Sequence, residues 1–388
     1  MARTMWTVAA LAAAACGSDV ATEVLTTPVA SVEVTPLTGS LWVADTLRFT
    51  AVVRAADGGA LTDRRIAWST SDDSVADVNA NGRVTGVGAG TVTVRATVDS
   101  VVAQATITVT ALDLLYEGYA DSVPELFIIA SGTYEPSRVF FPGTIVMDPT
   151  PSPDGRRVLY TVADYASGTG DIWVAGLRTG LSRQLTTDDA LDDSPAWSPD
   201  GTRLAFRSYR SGYLGEIWVL NLDGTGLVNL TPTVGGAVID YRAPTWSPDG
   251  TRIVYASTEG GDWGIWTMDP DGGNRTQLTN TPDLDAEPTW SPDGSHIAFR
   301  RSGPAGSDIV LLDVATLDTV RIERTGEQRM PAWSPDGRRI AYVSHPGVND
   351  QPEIYTMRSD GSGPLLRTTD PSRRGGLNPN WRPRRERQ

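Results

Sequence analysis

The chain has 388 residues, a formal net charge of −14, 40% hydrophobic residues and 21% charged residues, which excludes wholesale disorder and suggests two or three domains. All 33 basic residues are Arg, and the acidic balance argues against a general nucleic-acid-binding surface, because neutralising phosphates requires excess positive charge. With two His and one Cys, one chain cannot form an internal disulfide or a zinc site of three histidines or four cysteines.

The N-terminus has the proportions of an export signal. Arg3 precedes an apolar run over residues 5–15 that is too short to span a bilayer, and Cys16 follows it directly. This arrangement resembles a bacterial lipoprotein signal, in which the Cys becomes the lipidated first residue, although Ala13 stands where that family usually has Leu. We expect a signal peptide over 1–15 and a lipidated Cys with a tether over 16–28. The alternative is an ordinary cleaved signal with an incidental Cys.

Residues 29–111 alternate in period two between short turn clusters, which predicts the half-buried strands of a small β-sandwich. The stretch from Ile66 to Val78, followed by the glycine-rich stretch from Asn81 to Thr91, resembles the bacterial immunoglobulin-like domain of group 2. That resemblance implies a spacer or adhesive module and nothing catalytic. No cysteine pair bridges the sheets, so Trp68 is expected at the centre of the core.

The second part of the chain is a repeat array. Its motif is Pro-x-Trp-Ser-Pro-Asp-Gly, and successive copies are 43 to 49 residues apart, a period typical of propeller blades with about four strands each. The full copies begin at Pro195, Pro244, Pro288 and Pro331; a variant begins at Pro149 and a degenerate copy at Pro379.

A second motif keeps phase with the first and also occurs six times, as Glu125-Leu126-Phe127 and its counterparts, so the sequence predicts six blades. The array resembles the TolB-type propeller, a WD40-like repeat family, over residues 112–388, with departures at Pro151 and Arg382. The first strand of the array corresponds to a strand in the middle of a repeat. The last motif of the array corresponds to the segment that directly precedes that same strand in the other repeats. We therefore expect the N-terminal strand of the array to complete the last blade, which would leave no exposed sheet edge.

Local chemistry accounts for each repeat. In Ser-Pro-Asp-Gly, Pro fixes φ at the first central position, Asp tolerates the second and Gly follows, which makes a tight turn. The next strand is apolar on both faces, which suits a sheet packed between neighbouring sheets. The motif Trp is expected to fill the gap between blades.

Motifs for catalysis are missing from the sequence. It contains no nucleophile elbow, Walker loop, zinc-protease helix or complete EF-hand loop. The two histidines, His296 and His345, fall in different repeats. We therefore expect a protein that is not an enzyme.

The loops that lead into each motif carry the candidate site. Loops at one mouth of a propeller channel converge and often bind partners, and these loops vary while the motif stays fixed. Carboxylates among them suit Ca²⁺, although no ligand spacing requires that ion or any other metal or cofactor. The candidate channel-mouth residues are Asp148, Asp192, Asp193, Asp240, Arg242, Asp285, Glu287, Arg329 and Asn378.

The sequence as a whole predicts an all-β chain: an Ig-like sandwich followed by a six-bladed propeller. The expected function is an exported, lipid-anchored protein-interaction scaffold of the periplasm or outer membrane, with the cell surface as a further location. In this interpretation the Ig-like domain holds the propeller off the membrane, and the mouth binds an envelope protein or peptide. The alternative is a propeller that binds or cleaves a glycan through carboxylates at the mouth.

Overall fold

The computed structural model describes residues 27–383 except positions 44–45, 111, 121–122, 130–135, 140–144, 165, 178, 234–237, 346–350 and 369–373. Strands and turns account for the regular structure of this part of the chain, as the sequence predicts. No helix able to span a bilayer occurs among the described residues. The expected signal peptide, Cys16 and most of the tether lie outside them.

Three small sheets form the N-terminal Ig-like domain. The largest has the strand order β2-β9-β8-β5, in which β2 and β9 are parallel; the others are β3-β7-β6 and β1-β4. The strands are β1 Ser31–Thr35, β2 Thr38–Trp42, β3 Thr46–Arg48, β4 Thr50–Arg54, β5 Ala67–Thr70, β6 Ala76–Val78, β7 Arg83–Gly86, β8 Gly90–Val98 and β9 Val101–Thr110.

The core of this domain is centred on Phe49 and not on Trp68. Phe49 is 1% exposed and lies among the buried aliphatic side chains, whereas Trp68 is only partly buried and packs against that cluster. Trp68 lies against the turn at Gly82, where a Cβ atom would come within 2.9 Å of the indole. The large ring therefore covers one edge of the core.

The propeller consists of six four-stranded antiparallel sheets. Blades 1 to 5 follow the chain, and the closing blade combines strands from both ends of the array. Its strands are β10 Leu112–Ala120, β11 Val123–Ile129, β12 Pro136–Val139 and β33 Arg374–Pro383. The strands of the other five blades follow in chain order. Blade 1 is β13 Ile145–Pro151, β14 Arg157–Asp164, β15 Thr169–Gly176 and β16 Ser182–Gln184, and blade 2 is β17 Asp192–Trp197, β18 Arg203–Ser208, β19 Glu216–Asn221 and β20 Val228–Asn229. Blade 3 is β21 Tyr241–Trp246, β22 Ile253–Ser257, β23 Gly264–Met268 and β24 Thr276–Gln277, blade 4 is β25 Leu284–Trp290, β26 His296–Gly303, β27 Gly306–Asp313 and β28 Thr319–Ile322, and blade 5 is β29 Glu327–Trp333, β30 Arg339–His345, β31 Glu353–Arg358 and β32 Leu365–Leu366.

The expected ring closure is confirmed. Strand β33 pairs with β10, from Leu112 opposite Pro383 to Tyr119 opposite Arg374. The closing blade thus takes three strands from the start of the array and its innermost strand from the end.

Burial between sheets holds the blades together. Every residue of β22 is buried, in agreement with the prediction of a strand that is apolar on both faces. The motif Trp197 is 7% exposed and packs between blades 1 and 2, where its Nε1 donates to the carbonyl of Thr150 at 2.8 Å. The motif Trp therefore fills the gap between blades, as expected.

The serine of the turn motif has a structural role that the sequence did not reveal. Ser198 is 1% exposed; its hydroxyl donates to Asp200 at 2.6 Å and accepts the amide of Arg203 at 2.9 Å. Gly201 has φ +68°, a left-handed conformation that glycine adopts without penalty. The same serine contacts recur at Ser152, Ser247, Ser291 and Ser334.

Candidate functional site

The innermost strands of the blades surround a central cavity of about 470 Å³, a size suited to a small molecule or a short peptide segment. Five of the nine predicted mouth residues line it: Asp148, Asp193, Arg242, Glu287 and Asn378. The structure thus brings residues from five blades to one cavity.

A β-bulge in each innermost strand shapes the cavity wall. In blade 1, Met147 pairs with Thr161 and Thr150 with Leu159, so two residues oppose one at this point. Corresponding register shifts occur in the other blades. The residue just before the motif proline lies in each bulge and lines the cavity; we call these six residues, Asp148, Ser194, Ala243, Glu287, Met330 and Asn378, the bulge ring.

All six residues of the bulge ring have a left-handed backbone, with φ between +47° and +58°. None of them is glycine, and a left-handed conformation destabilises other L-residues by roughly 1–2 kcal/mol. The strain recurs at the same place in every blade. Strain of this kind tends to cluster where side chains serve a function.

Side chains link neighbouring positions of the bulge ring. Asp148 accepts the amide of Ser194 at 3.2 Å, and Glu287 accepts the amide of Met330 at 2.7 Å. The sulfur of Met330 accepts the amide of Asn378 at 3.3 Å. These contacts run from one blade to the next, so each side chain helps to fix the backbone of its neighbour.

One wall of the cavity, on the closing blade and blade 1, is acidic. Asn378 Nδ2 donates to Asp148 at 2.8 Å and to Glu117 at 3.1 Å. Glu117, on β10, is 3% exposed; burial, and then the charge of Asp148, raises its pKa to about 7. Burial, and then the charge of Asp193, raises the pKa of Asp148 to about 6. Both acids therefore hold protons more tightly than an exposed carboxyl group does.

Asp193 is neutralised by a partly buried partner. Arg207 donates through both Nε and Nη2 to its two carboxylate oxygens, with the Nε contact at 2.7 Å. Burial alone would lower the pKa of the Arg207 guanidinium, but the hydrogen bonds and the charge of Asp193 raise it above its usual value. This bidentate pair fixes both side chains in the cavity wall.

The opposite wall, on blades 3 and 4, carries guanidinium groups and an indole. The Arg242 guanidinium lies 4.3 Å from the centroid of the Trp263 ring and also pairs with Asp240 at 2.6 Å. Arg300 lies with its Nε 3.6 Å from Glu287, and that Nε is enclosed without a hydrogen-bond partner among the described residues. Both guanidinium groups of this wall thus lie beside carboxylates, whereas Asp148 and Glu117 on the acidic wall accept hydrogen bonds from neutral groups.

Four predicted mouth residues do not line the cavity. Asp192 and Asp285 are fully buried and pair with Arg210 and Arg301, at 2.6 and 2.7 Å. Both lie three residues before the motif proline, where the alternation of the strand turns the side chain into the blade. Burial raises the pKa of Asp192 to about 6.

The other two predicted mouth residues, Asp240 and Arg329, contact neighbouring groups near the cavity. Asp240 accepts from Arg242 and from the amide of Gly215, the latter at 3.0 Å. Arg329 lies 2.7 Å from Nε2 of His345. Neither residue reaches the cavity surface.

Sequence analysis missed four residues of this site: Glu117, Arg207, Trp263 and Arg300. Three of them lie on the second strand of a blade, each opposite the residue two positions before the motif proline. Glu117 faces Leu377, Arg207 faces Asp193 and Arg300 faces Ala286. The register is the same in each repeat, so these three residues can be identified from the sequence once the strands are paired. Trp263 precedes the Ile-Trp motif of blade 3 and has no such signal.

Ca²⁺, which the carboxylates of the loops would suit, has no ligand set in the part of the chain that the structure describes. No group of three or more His, Cys, Asp or Glu side chains there is placed to hold a metal ion. In the acidic wall, an amide group lies between the two carboxylates.

Comparison with known proteins agrees with this architecture. Residues 122–363 match the family model of the TolB beta propeller domain, and residues 28–109 match that of the bacterial Ig-like domain (group 2). The TolB structure from Acinetobacter baumannii superposes with a TM-score of 0.62 and 18% identity, covering 80% of this chain and 82% of that one. At this identity, the likeness shows the fold.

Curated relatives match over short segments. Tol-Pal system protein TolB of Anaeromyxobacter dehalogenans is 34% identical over 88 residues, which are 23% of this chain and 19% of that protein. Uncharacterized peptidase YuxL of Bacillus subtilis is 34% identical over 90 residues, 22% of this chain and 14% of that protein. The matched segments thus span less than a fifth of these relatives.

Proposed function

Because the chain belongs to the TolB β-propeller family, we propose that it is a protein-interaction scaffold of the cell envelope whose propeller binds a partner at the central cavity. Its relatives include Tol-Pal system protein TolB, and the envelope setting follows from the export signal that we expect at the N-terminus. The bulge ring is the observation that carries the proposal.

The bulge ring combines a constant backbone with variable side chains. All six positions share the same strained φ, yet their side chains are two acids, an alcohol, an amide, a thioether and a methyl group. Packing alone favours the same residue at equivalent positions, as it does for the motif Trp. Varied side chains around one cavity instead fit recognition of an asymmetric partner, since specificity comes from a few placed polar groups.

We further propose that residues 1–15 are a signal peptide, that Cys16 carries a lipid after a tether over 16–28, and that the Ig-like domain over 29–111 is a spacer. The propeller over 112–388 would then lie away from the membrane surface. Strand β9 ends at Thr110 and β10 begins at Leu112, so little chain separates the two domains. Mass spectrometry of the mature N-terminus tests the anchor, because an unmodified Cys16 would contradict it.

Photo-crosslinking in intact cells tests the scaffold. A photoreactive amino acid at Ala243, in the bulge ring, is expected to give a discrete adduct with one envelope protein. The matched control places it at Asp318, an exposed residue of a blade 4 hairpin. Identical adducts at both positions, or no adduct at Ala243, would argue against binding at the cavity.

A glycan-directed role is the second candidate, because two carboxyl groups with raised pKa values lie in or beside the cavity, as in general acid catalysis. Asp193 and Asp285 are unsuited to that chemistry, since each is engaged by an Arg at 2.7 Å. The test is turnover of a polysaccharide by the pure protein. Activity lost in Asp148→Asn, with the fold intact, would favour this candidate over the scaffold.

A further inference from the structure

The two walls of the central cavity are complementary to the two ends of a dipolar ligand. The closing blade and blade 1 contribute Asp148 and, behind it, the buried Glu117. Blades 3 and 4 contribute Arg242 and Arg300. A ligand with separated positive and negative groups would have one favourable orientation in such a cavity.

The acidic wall lacks a cation of its own. Asn378 satisfies hydrogen bonds of Asp148 and Glu117 but supplies no charge. Arg207, whose charge reaches Asp148, is already held in a bidentate pair by Asp193. Negative charge in a poorly hydrated site is stabilised by an opposite charge, and an ammonium group donates hydrogen bonds as well.

The protein's own carboxylates engage the guanidinium groups of the opposite wall only in part. Arg300 Nε has no hydrogen-bond partner among the described residues and lies 3.6 Å from Glu287; because this Nε is enclosed, a ligand would contact the terminal nitrogens of the guanidinium. Arg242 stacks near Trp263 with its side chain about half exposed. Planar guanidinium groups suit carboxylates, and the indole adds an apolar surface between them.

We propose that the cavity binds a short peptide segment through both of its charged ends: the amino group at Asp148 and the carboxylate at Arg242 and Arg300. The inference rests on the proposed use of the cavity as a binding site and names the chemistry of its ligand. Its experiment uses a synthetic peptide, so it is independent of whether a partner protein is found by crosslinking.

Titration calorimetry at pH 7 with the purified full chain tests the proposal. The probes are unblocked trialanine, its N-acetylated form and its C-amidated form. An α-amino group has a pKa of about 8, so it is mostly protonated at this pH. Trialanine is expected to bind, and either block is expected to weaken binding roughly tenfold or more, the loss of one charge-assisted contact.

Variants assign the two ends. In Asp148→Asn, acetylation should cause no further loss, and in Arg300→Gln, amidation should cause none. Asp318→Asn and Arg156→Gln make the same charge changes at exposed positions and should bind as the parent does. Absence of binding at millimolar trialanine, or equal affinity for blocked and unblocked peptides, would overturn the proposal whatever the variants do.

Discussion

Asn378 donates a hydrogen bond from Nδ2 to Asp148 at 2.8 Å, although 230 residues separate the two in the chain. Asn378 belongs to β33, the last strand, and Asp148 to the first strand of blade 1. A parallel contact joins Asn380 to the carbonyl of Pro149 at 3.0 Å. The seam that closes the ring is therefore also part of the candidate site, and the acidic wall exists only when the ring is closed.

The seam should depend on Arg382, which replaces the serine of the turn motif. It donates to Asp113 at 3.2 Å and to the carbonyl of Gly155, on blade 1, at 2.9 Å. Asp113 is 3% exposed, so Arg382→Ala takes a charged hydrogen-bond donor away from a buried carboxylate. We expect Arg382→Ala to lower the free energy of unfolding by roughly 2–4 kcal/mol in chemical denaturation. Arg156→Ala, at an exposed position, is the control and should leave stability unchanged.

Backbone strain in the bulge ring should be measurable at Ala243, where φ is +48°. Glycine adopts this conformation freely, so Ala243→Gly is expected to raise the free energy of unfolding by about 0.5–1 kcal/mol. The matched substitution Ala205→Gly, at a fully buried position of strand β18, should lower it, because it removes a packed methyl group and loosens a strand. A loss of stability at both positions would contradict strain in the ring.

The motif tryptophans should differ in how much the indole nitrogen contributes to the stability of the protein. Trp197 Nε1 donates to Thr150, whereas Trp246 Nε1 is buried without a partner among the described residues. An Arg side chain stacks on each ring, at 5.0 and 4.7 Å. Substitution by Phe removes similar volume from both, so Trp197→Phe is expected to destabilise the protein by about 1 kcal/mol more than Trp246→Phe, the value of one hydrogen bond. Equal losses in thermal or chemical unfolding would show that packing alone matters.

Repetition explains what the sequence could predict. Two motifs in phase gave six blades, and the offset between Leu114 and Trp381 gave the closure, because each repeat reports on the same local geometry. Orientation within a strand was harder: Asp192 and Asp193 are neighbours, yet one is buried in the blade and the other lines the cavity. The bulge that decides this has no sequence signal beyond the motif proline that lies in it.

Partners across a sheet were also beyond the sequence argument. Arg207 and Glu117 have no motif of their own, and their meaning comes from the residues that they face. In the Ig-like domain, the choice between Phe49 and Trp68 as core centre depends on how the turn at Gly82 packs. Such contacts depend on tertiary packing, which cannot be predicted from the alternation of apolar residues along a strand.

Glu117 should make stability depend on pH. Its pKa rises from 4.5 to about 7 on folding, so the folded state binds the proton more tightly. The resulting stabilisation is complete below pH 4.5 and is lost as the pH rises through 7, where the buried carboxylate is charged. Glu117→Gln abolishes this titration and keeps an acceptor for Asn378. Relative to the parent chain, the variant should therefore gain stability progressively between pH 4.5 and 7, by roughly 1–3 kcal/mol in all. Denaturant unfolding at a series of pH values measures the difference, with Asp318→Asn as an exposed control; a difference that stays constant across this range would mean that Glu117 titrates as an ordinary carboxyl group.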